Sequence, residues 1–267
     1  MNVPAIDVHA HYGSYLNGPH ERNAAFMSAD IETVLQRARE SDVQYTIVSP
    51  LAAMMPRGGG EPLEANEDAA RLVAEHDGLL QWVVVDPRKP ATYEQADRML
   101  RQEKCVGIKI HPEEHLYLVA EHGGPAFELA ARHGKVVLSH SGEKNSLPAD
   151  LVCLADRFPE AKLILAHLGC GWDNDLSHQV RAIQASRHGN VYVDTSSASS
   201  LLPGLIEWAV KEVGADRLLF GTDTPVYFTA MYRARIDHAD IPDSQKRMIL
   251  RDNAVRLFNL KEAGNVN

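Results

Sequence analysis

Five residues along this chain are of the types that grip a divalent cation, and their spacing suggests that they meet. His9 and His11 stand two apart in a short β-branched run, so a strand would present both rings on one face, with Asp7 beside them. His140, His167 and Asp223 each close a similar run. Strand alternation aligns Val136 and Leu138 with His140, Leu163 and Leu165 with His167, and Leu219 and Gly221 with Asp223. Any one of the five alone reads as a buried, hydrogen-bonded core residue or a helix cap. Together, inward-facing at strand ends, they read as one cation site, because buried polar groups need partners and nothing else in those strands supplies them.

The elements that must position these residues repeat along the chain. Strand candidates are residues 5–8, 45–48, 81–85, 106–110, 135–138, 162–165, 191–193 and 217–220. Helical periodicity fills the intervals at 31–41, 66–75, 93–101, 126–132, 149–157, 176–187 and 205–213. Such alternation predicts parallel strands joined by right-handed crossovers. The positions just after the last four strands are His140, His167, Asp194 and Asp223, separated by 27, 27 and 29 residues, one βα unit each time. No Gly-x-Gly-x-x-Gly follows the first strand, so this α/β pattern predicts a closed (β/α)8 barrel rather than a doubly wound sheet.

One domain over residues 1–267 accounts for the whole length, ending in an amphipathic helix at about 244–260 with Asp243 as its N-cap. Residues 12–30 and 50–63 exceed what barrel closure needs, and they should lie at the C-terminal mouth, where a barrel places its chemistry. His76, His133 and His188 precede Gly78, Gly134 and Gly189 in helix-stop patterns, with glycine in the left-handed cap, and read as structural. His20, His115, His122, His178 and His238 read as surface residues.

Composition narrows the function classes. Hydrophobic residues at 45% and charged residues at 24% exclude a disordered chain. Lys plus Arg number 27 against 36 Asp plus Glu, a net charge of -9, the wrong sign for gripping a phosphate backbone. Cys105, Cys153 and Cys170 form no CxxC pair, which predicts neither a disulfide framework nor a zinc ribbon and fits a reducing cytoplasm. Asp7, His9 and His11 fall where a secretion signal would need hydrocarbon, and apolar runs such as 79–80 and 82–85 are far below the roughly 18 residues of a membrane span. The expected partner is a small-molecule substrate, with neither nucleic acid nor membrane, and a homodimer is left open.

Six motifs identify a family resemblance: Ile6-Asp-Val-His-Ala-His11, Gly107-Ile-Lys-Ile-His-Pro112, Leu138-Ser-His-Ser-Gly142, Leu165-Ala-His-Leu-Gly169, Phe220-Gly-Thr-Asp-Thr-Pro225 and Asn253-Ala-Val-Arg-Leu-Phe258. Together they resemble the amidohydrolase superfamily, in the branch that includes aminocarboxymuconate-semialdehyde decarboxylase and resorcylate decarboxylase. The resemblance implies a metal-dependent TIM barrel in which His9, His11, His140 and Asp223 hold one divalent ion, usually zinc. His167 is then a non-ligand acid/base beside the bound water. Such a donor set suits zinc with a position open to water, whose pKa falls to about 7 on the metal, and Asp223 can take that proton as attack proceeds.

Lys109 ends the fourth strand, where two-metal members of the superfamily carry a carboxylated lysine. Modified in that way it would bridge two ions, with His140 and His167 on the second; unmodified, it is an ammonium that orients an anionic substrate. One zinc is the expectation. Tyr12, Arg57, Arg88, His111, Trp172 and Ser196 follow strand ends or sit in long loops and are candidates to touch substrate. Residues 12–30 and 50–63, the latter with Gly58-Gly59-Gly60, are expected to close over bound substrate and to carry Arg57 toward a substrate anion.

The expected activity is hydrolysis, by metal-activated water, of an amide, lactone or ester in a small anionic molecule. Hydrolysis leads because the chain is short beside the decarboxylases it resembles, which usually carry insertions around an aromatic or muconate acid. The alternative is non-oxidative decarboxylation of such an acid. A metal-binding protein without catalysis is disfavoured, since that has no need of an acid/base such as His167.

Overall fold

The computed structural model describes residues 3–18 and 20–260. Eight strands, β1 (Ala5–Tyr12), β2 (Val43–Pro50), β3 (Leu79–Val84), β4 (Cys105–Ile110), β5 (Val136–Ser139), β6 (Lys162–Leu165), β7 (Val191–Asp194) and β8 (Leu218–Leu219), are all parallel and pair in sequence order. The ring is joined between its ends by backbone bonds, Val8 N–H donating to the Phe220 carbonyl at 2.9 Å and His11 N–H to that of Thr224 at 2.6 Å. With helices between successive strands, this is a single-domain (β/α)8 TIM barrel.

Two apolar layers hold it together. Val83, Ile108, Leu163 and Leu165 face outward and pack on the helices, whereas Ile6, Val8, Ile47, Trp82, Leu138, Ile164 and Leu219 fill the axis. Burial of each such side chain contributes about 1.5–3 kcal/mol. The Trp82 indole, fully buried, donates to the Val8 carbonyl at 2.9 Å and meets Phe258 edge-on at 5.6 Å between centroids.

Strand β1 breaks strict alternation. Ile6 and Val8 both join the axial core, while Ala10 and Tyr12 join a cluster with Ile31, Val34 and Val48 under the helices. The phase changes at a register shift between Asp7 and Ala10. A bulge of this kind re-aims side chains. It turns His9 and His11 into the mouth and separates them from Asp7, whose carboxylate instead accepts from Thr222 N–H at 3.1 Å and Thr222 Oγ1–H at 2.6 Å.

The C-terminal segment differs from the single helix predicted. It runs as a helix at Asp243–Arg247, a π-helical turn at Met248–Asp252 and a helix at Asn253–Phe258, and Asp243 is the first helical residue rather than the cap. In the wide turn the Ile249 carbonyl accepts the Phe220 N–H at 3.0 Å, and Asn253 Nδ2 donates to the Ala215 and Leu218 carbonyls at 2.7 and 2.8 Å. Docking to β8 thus overrides a regular helical repeat. No helix among the described residues is long and apolar enough to cross a membrane.

Candidate metal centre at the barrel mouth

The bulge in β1 brings His9 and His11 against Asp223. Asp223 Oδ1 lies 2.9 Å from His11 Nε2 and 3.6 Å from His9 Nε2. The opposite ring nitrogens are engaged elsewhere: His9 Nδ1 lies 2.7 Å from Asp194 Oδ2, and His11 Nδ1 lies 3.1 Å from the Ser49 carbonyl. Each ring therefore points Nε2 at the same space, with its tautomer set from behind, as in metal-ligating histidines. The ligand atoms of His9, His11 and Asp223 all lie within 4.8 Å of one another. Burial works against the Asp223 carboxylate, but the His11 hydrogen bond and the surrounding imidazoles hold it below the usual carboxylate range.

At two strand ends the backbone turns into a left-handed conformation. Leu163 and Leu165 face the helices, so alternation from them would point His167 outward. His167 instead has φ +72 and Asp223 φ +58, left-handed conformations that strain a residue with a Cβ. Hydrogen bonds hold both: Asp223 N–H donates to the His9 carbonyl at 2.7 Å, and His167 N–H to Asp194 Oδ1 at 3.0 Å.

His140 is one ring further out. Its Nδ1 lies 3.1 Å from His167 Nε2, and its ring stacks on His111 at 4.2 Å. Its Nε2 is buried, makes no hydrogen bond and stands 3.4 Å from a Glu143 oxygen. His140 is thus brought beside the His9–His11–Asp223 cluster through His167. Burial, reinforced by His140 and Lys109 against the pull of Asp223 and Asp194, pushes His167 down to about 4, so its ring is neutral near pH 7. Lys109, also buried, places Nζ 2.8 Å from His9 Nε2, and desolvation pushes its ammonium down to about 8 against the pull of Asp223 and Asp194.

These groups line a cavity of about 240 Å³ whose walls include Tyr15, Met54, Met55, Glu114, Glu143 and Tyr227. A larger cleft of about 550 Å³ opens at the other end of the barrel, but its Lys104 and Lys135 already donate to backbone carbonyls, and it gathers no comparable ligand set.

The loop candidates divide. His111 lines the cavity, and Ser196 stands behind it, 2.9 Å from His167 Nδ1 through both its carbonyl and its hydroxyl oxygen. Tyr12 follows His11 on the outward face and bonds Asp68 at 3.3 Å, so Tyr15 takes the place foreseen for it. Arg57 is not aimed into the cavity: its guanidinium pairs with Glu114, Nη2 to Oε1 at 2.7 Å and Nε to Oε2 at 3.1 Å. Arg88 folds back on Asp86, and Trp172 lies in an outer recess under Lys144, 5.7 Å from the ring centroid.

His115 is fully buried rather than superficial, its Nε2 lying 3.1 Å from the Ala53 carbonyl oxygen. Sequence reasoning gave no role to Asp194, Ser49, Glu114 or Glu143. Only Asp194 carried a signal, through its place in the 27-residue series.

The donor chemistry fits a divalent metal. Two imidazoles with fixed tautomers and a carboxylate held ionised converge, and a third imidazole nearby has a buried nitrogen without a hydrogen bond. The sequence profile of an amidohydrolase family matches residues 6–260. The chain belongs to this family. This chain shares the barrel with solved structures of low sequence identity. A 5-carboxyvanillate decarboxylase from Sphingomonas paucimobilis superposes with a TM-score of 0.76 at 17% identity, over 97% of this chain and 100% of the other. A 2,6-dihydroxybenzoate decarboxylase from Rhizobium gives 0.74 at 17%, over 96% and 98%. A dihydroxybenzoic acid decarboxylase from Polaromonas sp. JS666, with bound manganese and the inhibitor 2-nitroresorcinol, gives 0.76 at 17%, over 100% and 99%. No curated protein matches by sequence.

These likenesses correct the expectation of hydrolysis. That expectation rested on the chain being too short for a decarboxylase, and the superpositions run over nearly the full length of both partners. Length does not set this chain apart from decarboxylases.

Proposed function

We propose that the protein is a metal-dependent, non-oxidative decarboxylase of a small aromatic or muconate-type carboxylic acid. The observation that carries this reading is the cavity floor, where the His9–His11–Asp223 cluster and the buried Lys109 face one small space. That floor suits a carboxylate, and the barrel around it is the one used by the decarboxylases compared above. A volume of about 240 Å³ is below the usual range for drug-sized ligands and suits a single-ring acid.

A divalent ion held by His9, His11 and Asp223, with His140 completing the set, would supply a Lewis-acidic anchor for substrate oxygens. Manganese, as in the Polaromonas enzyme, and zinc both accept imidazole and carboxylate donors. The reaction breaks the bond between the carboxylate and its carbon, leaves the electron pair on that carbon, and requires one proton there as carbon dioxide departs. His167 is the group we assign to that proton. Its Nδ1 donates to the Ser196 carbonyl and its ring is neutral near pH 7, so Nε2 is the site that takes a proton from solvent and delivers it to the carbon. His140 Nδ1 faces that nitrogen at 3.1 Å, which leaves His140 Nε2 for the metal. The three cysteines are unpaired, which supports a reducing cytoplasmic setting.

The test is turnover of hydroxybenzoates and muconate-type acids by protein loaded with manganese or zinc, following carbon dioxide, with lactones and amides in parallel. Stoichiometric carbon dioxide with at least one acid is expected. Hydrolysis without carbon dioxide release from any acid would overturn the reading.

A further inference from the structure

We propose that Asp194 is the positioning residue that couples the two halves of this site, setting His9 as a metal ligand and His167 as an acid/base through one carboxylate. The proposal rests on the metal-centre reading above and is independent of which acid is the substrate. Asp194 ends β7 and is fully buried. Its Oδ2 lies 2.7 Å from His9 Nδ1. Its Oδ1 accepts from His167 N–H at 3.0 Å, from Ser196 N–H at 2.9 Å and from the Ser196 hydroxyl. That hydroxyl oxygen also stands 3.0 Å from His9 Nδ1 and 2.9 Å from His167 Nδ1.

Two consequences follow from the chemistry of a carboxylate. It only accepts, so His9 must carry its proton on Nδ1 and leave the Nε2 lone pair toward Asp223. It also satisfies the N–H of His167, the residue whose left-handed backbone brings its ring into the mouth. His9, His167 and Asp194 are themselves close enough to hold an ion. Protein donors already occupy both Asp194 oxygens, however, so the trio reads as a hydrogen-bonded unit behind the metal centre rather than a second one.

Asp194→Asn separates this role from packing. Three donors converge on Oδ1, so the amide oxygen goes there and its NH2 faces His9. The His9 proton is then driven to Nε2, where it blocks ligation. Titration of the metal-free variant with manganese chloride by calorimetry should show affinity roughly 10- to 100-fold below wild type, the scale for losing such a supporting hydrogen bond. Nitrogen NMR of histidine-labelled protein should show His9 protonated on Nδ1 in the wild type and on Nε2 in the variant. Ser196→Ala, which keeps the carboxylate, should hold manganese within about threefold of wild type.

The inference is overturned by a wild-type His9 protonated on Nε2, a measurement that survives even if Asp194→Asn fails to fold. It is also overturned by Asp194→Asn binding manganese as tightly as wild type, or by equal losses in Asp194→Asn and Ser196→Ala. A wild-type protein that binds no divalent metal would sink the metal-centre reading itself, which is a different result.

Discussion

Lys109 Nζ and His9 Nε2 are 2.8 Å apart, in a space that also faces Asp223. His9 Nδ1 is committed to Asp194, so the Nε2 lone pair that Lys109 engages is the one a metal needs. Cation and lysine therefore compete for it, and metal loading should displace the ammonium toward the cavity, where a substrate carboxylate can meet it. Lys109→Met keeps the length and removes the charge. It should bind metal several-fold more tightly, still at one ion per chain, while kcat/KM for an anionic substrate falls roughly 10- to 100-fold, the scale of one charge-assisted hydrogen bond. Elemental analysis with steady-state kinetics checks both. A drop from two ions to one on substitution would instead mark Lys109 as a carboxylated bridge.

His140 and His167 touch each other yet should separate on substitution. His140 offers a buried nitrogen without a hydrogen bond, whereas both His167 nitrogens are engaged. His140→Ala should lose metal and turnover together. His167→Ala should keep most of its metal and still lose turnover by roughly two to four orders of magnitude, the scale of acid–base catalysis. Parallel measurements of metal content and rate decide it, and equal metal loss would contradict the division of roles.

Arg57 acts through Glu114. The ion pair joins the segment after β2 to the one after β4, and Asn17 Nδ2 adds the loop after β1 by donating to Glu114 Oε2 at 2.6 Å. The arginine side chain is 45% exposed, so the pair should contribute no more than about 1 kcal/mol to stability. Its larger effect is on charge, because Glu114 lines the cavity. Arg57→Ala should leave the melting temperature nearly unchanged and raise KM for an acid, more at low salt than at high salt. A KM that is unchanged at both ionic strengths would show that the three loops close without this pair.

The barrel was legible in the sequence because its repeat is local: each strand is a short β-branched run, and strands 162–165 and helix 205–213 lie where periodicity put them. His9, His11, His167 and Asp223 were legible as residue types at strand ends. How they reach the mouth was not. The β1 bulge and the left-handed turns at His167 and Asp223 depend on backbone partners across neighbouring strands, which alternation within one strand cannot encode. Tyr12 is different: it is one residue past His11, so strand alternation alone places it on the opposite face, and its nomination for the mouth neglected that. Arg57 was misread for another reason: the sequence shows the guanidinium, but not the Glu114 that reaches it from another loop.

Gly107 links the barrel core to the site, since it lies two residues before Lys109 on β4 and shares its face. A Cβ at this position would lie 2.1 Å from the Val136 carbonyl oxygen and 2.7 Å from the Trp82 ring. The first contact is backbone of the paired strand β5, and the second is a side chain packed at the axis, so neither can move freely. Gly107→Ala should therefore overpack the core at a cost of about 1–3 kcal/mol. For a chain of this size that lowers the melting temperature by roughly 2–12 °C. Movement of β4 should also shift Lys109 from His9 and change metal affinity, although residue 107 touches no ligand. Thermal melting of the metal-free protein, followed by metal titration, reads the two effects separately. A variant that melts with the wild type would mean that β5 yields to the extra methyl, and that the close approach of β4 and β5 is not needed to hold the site.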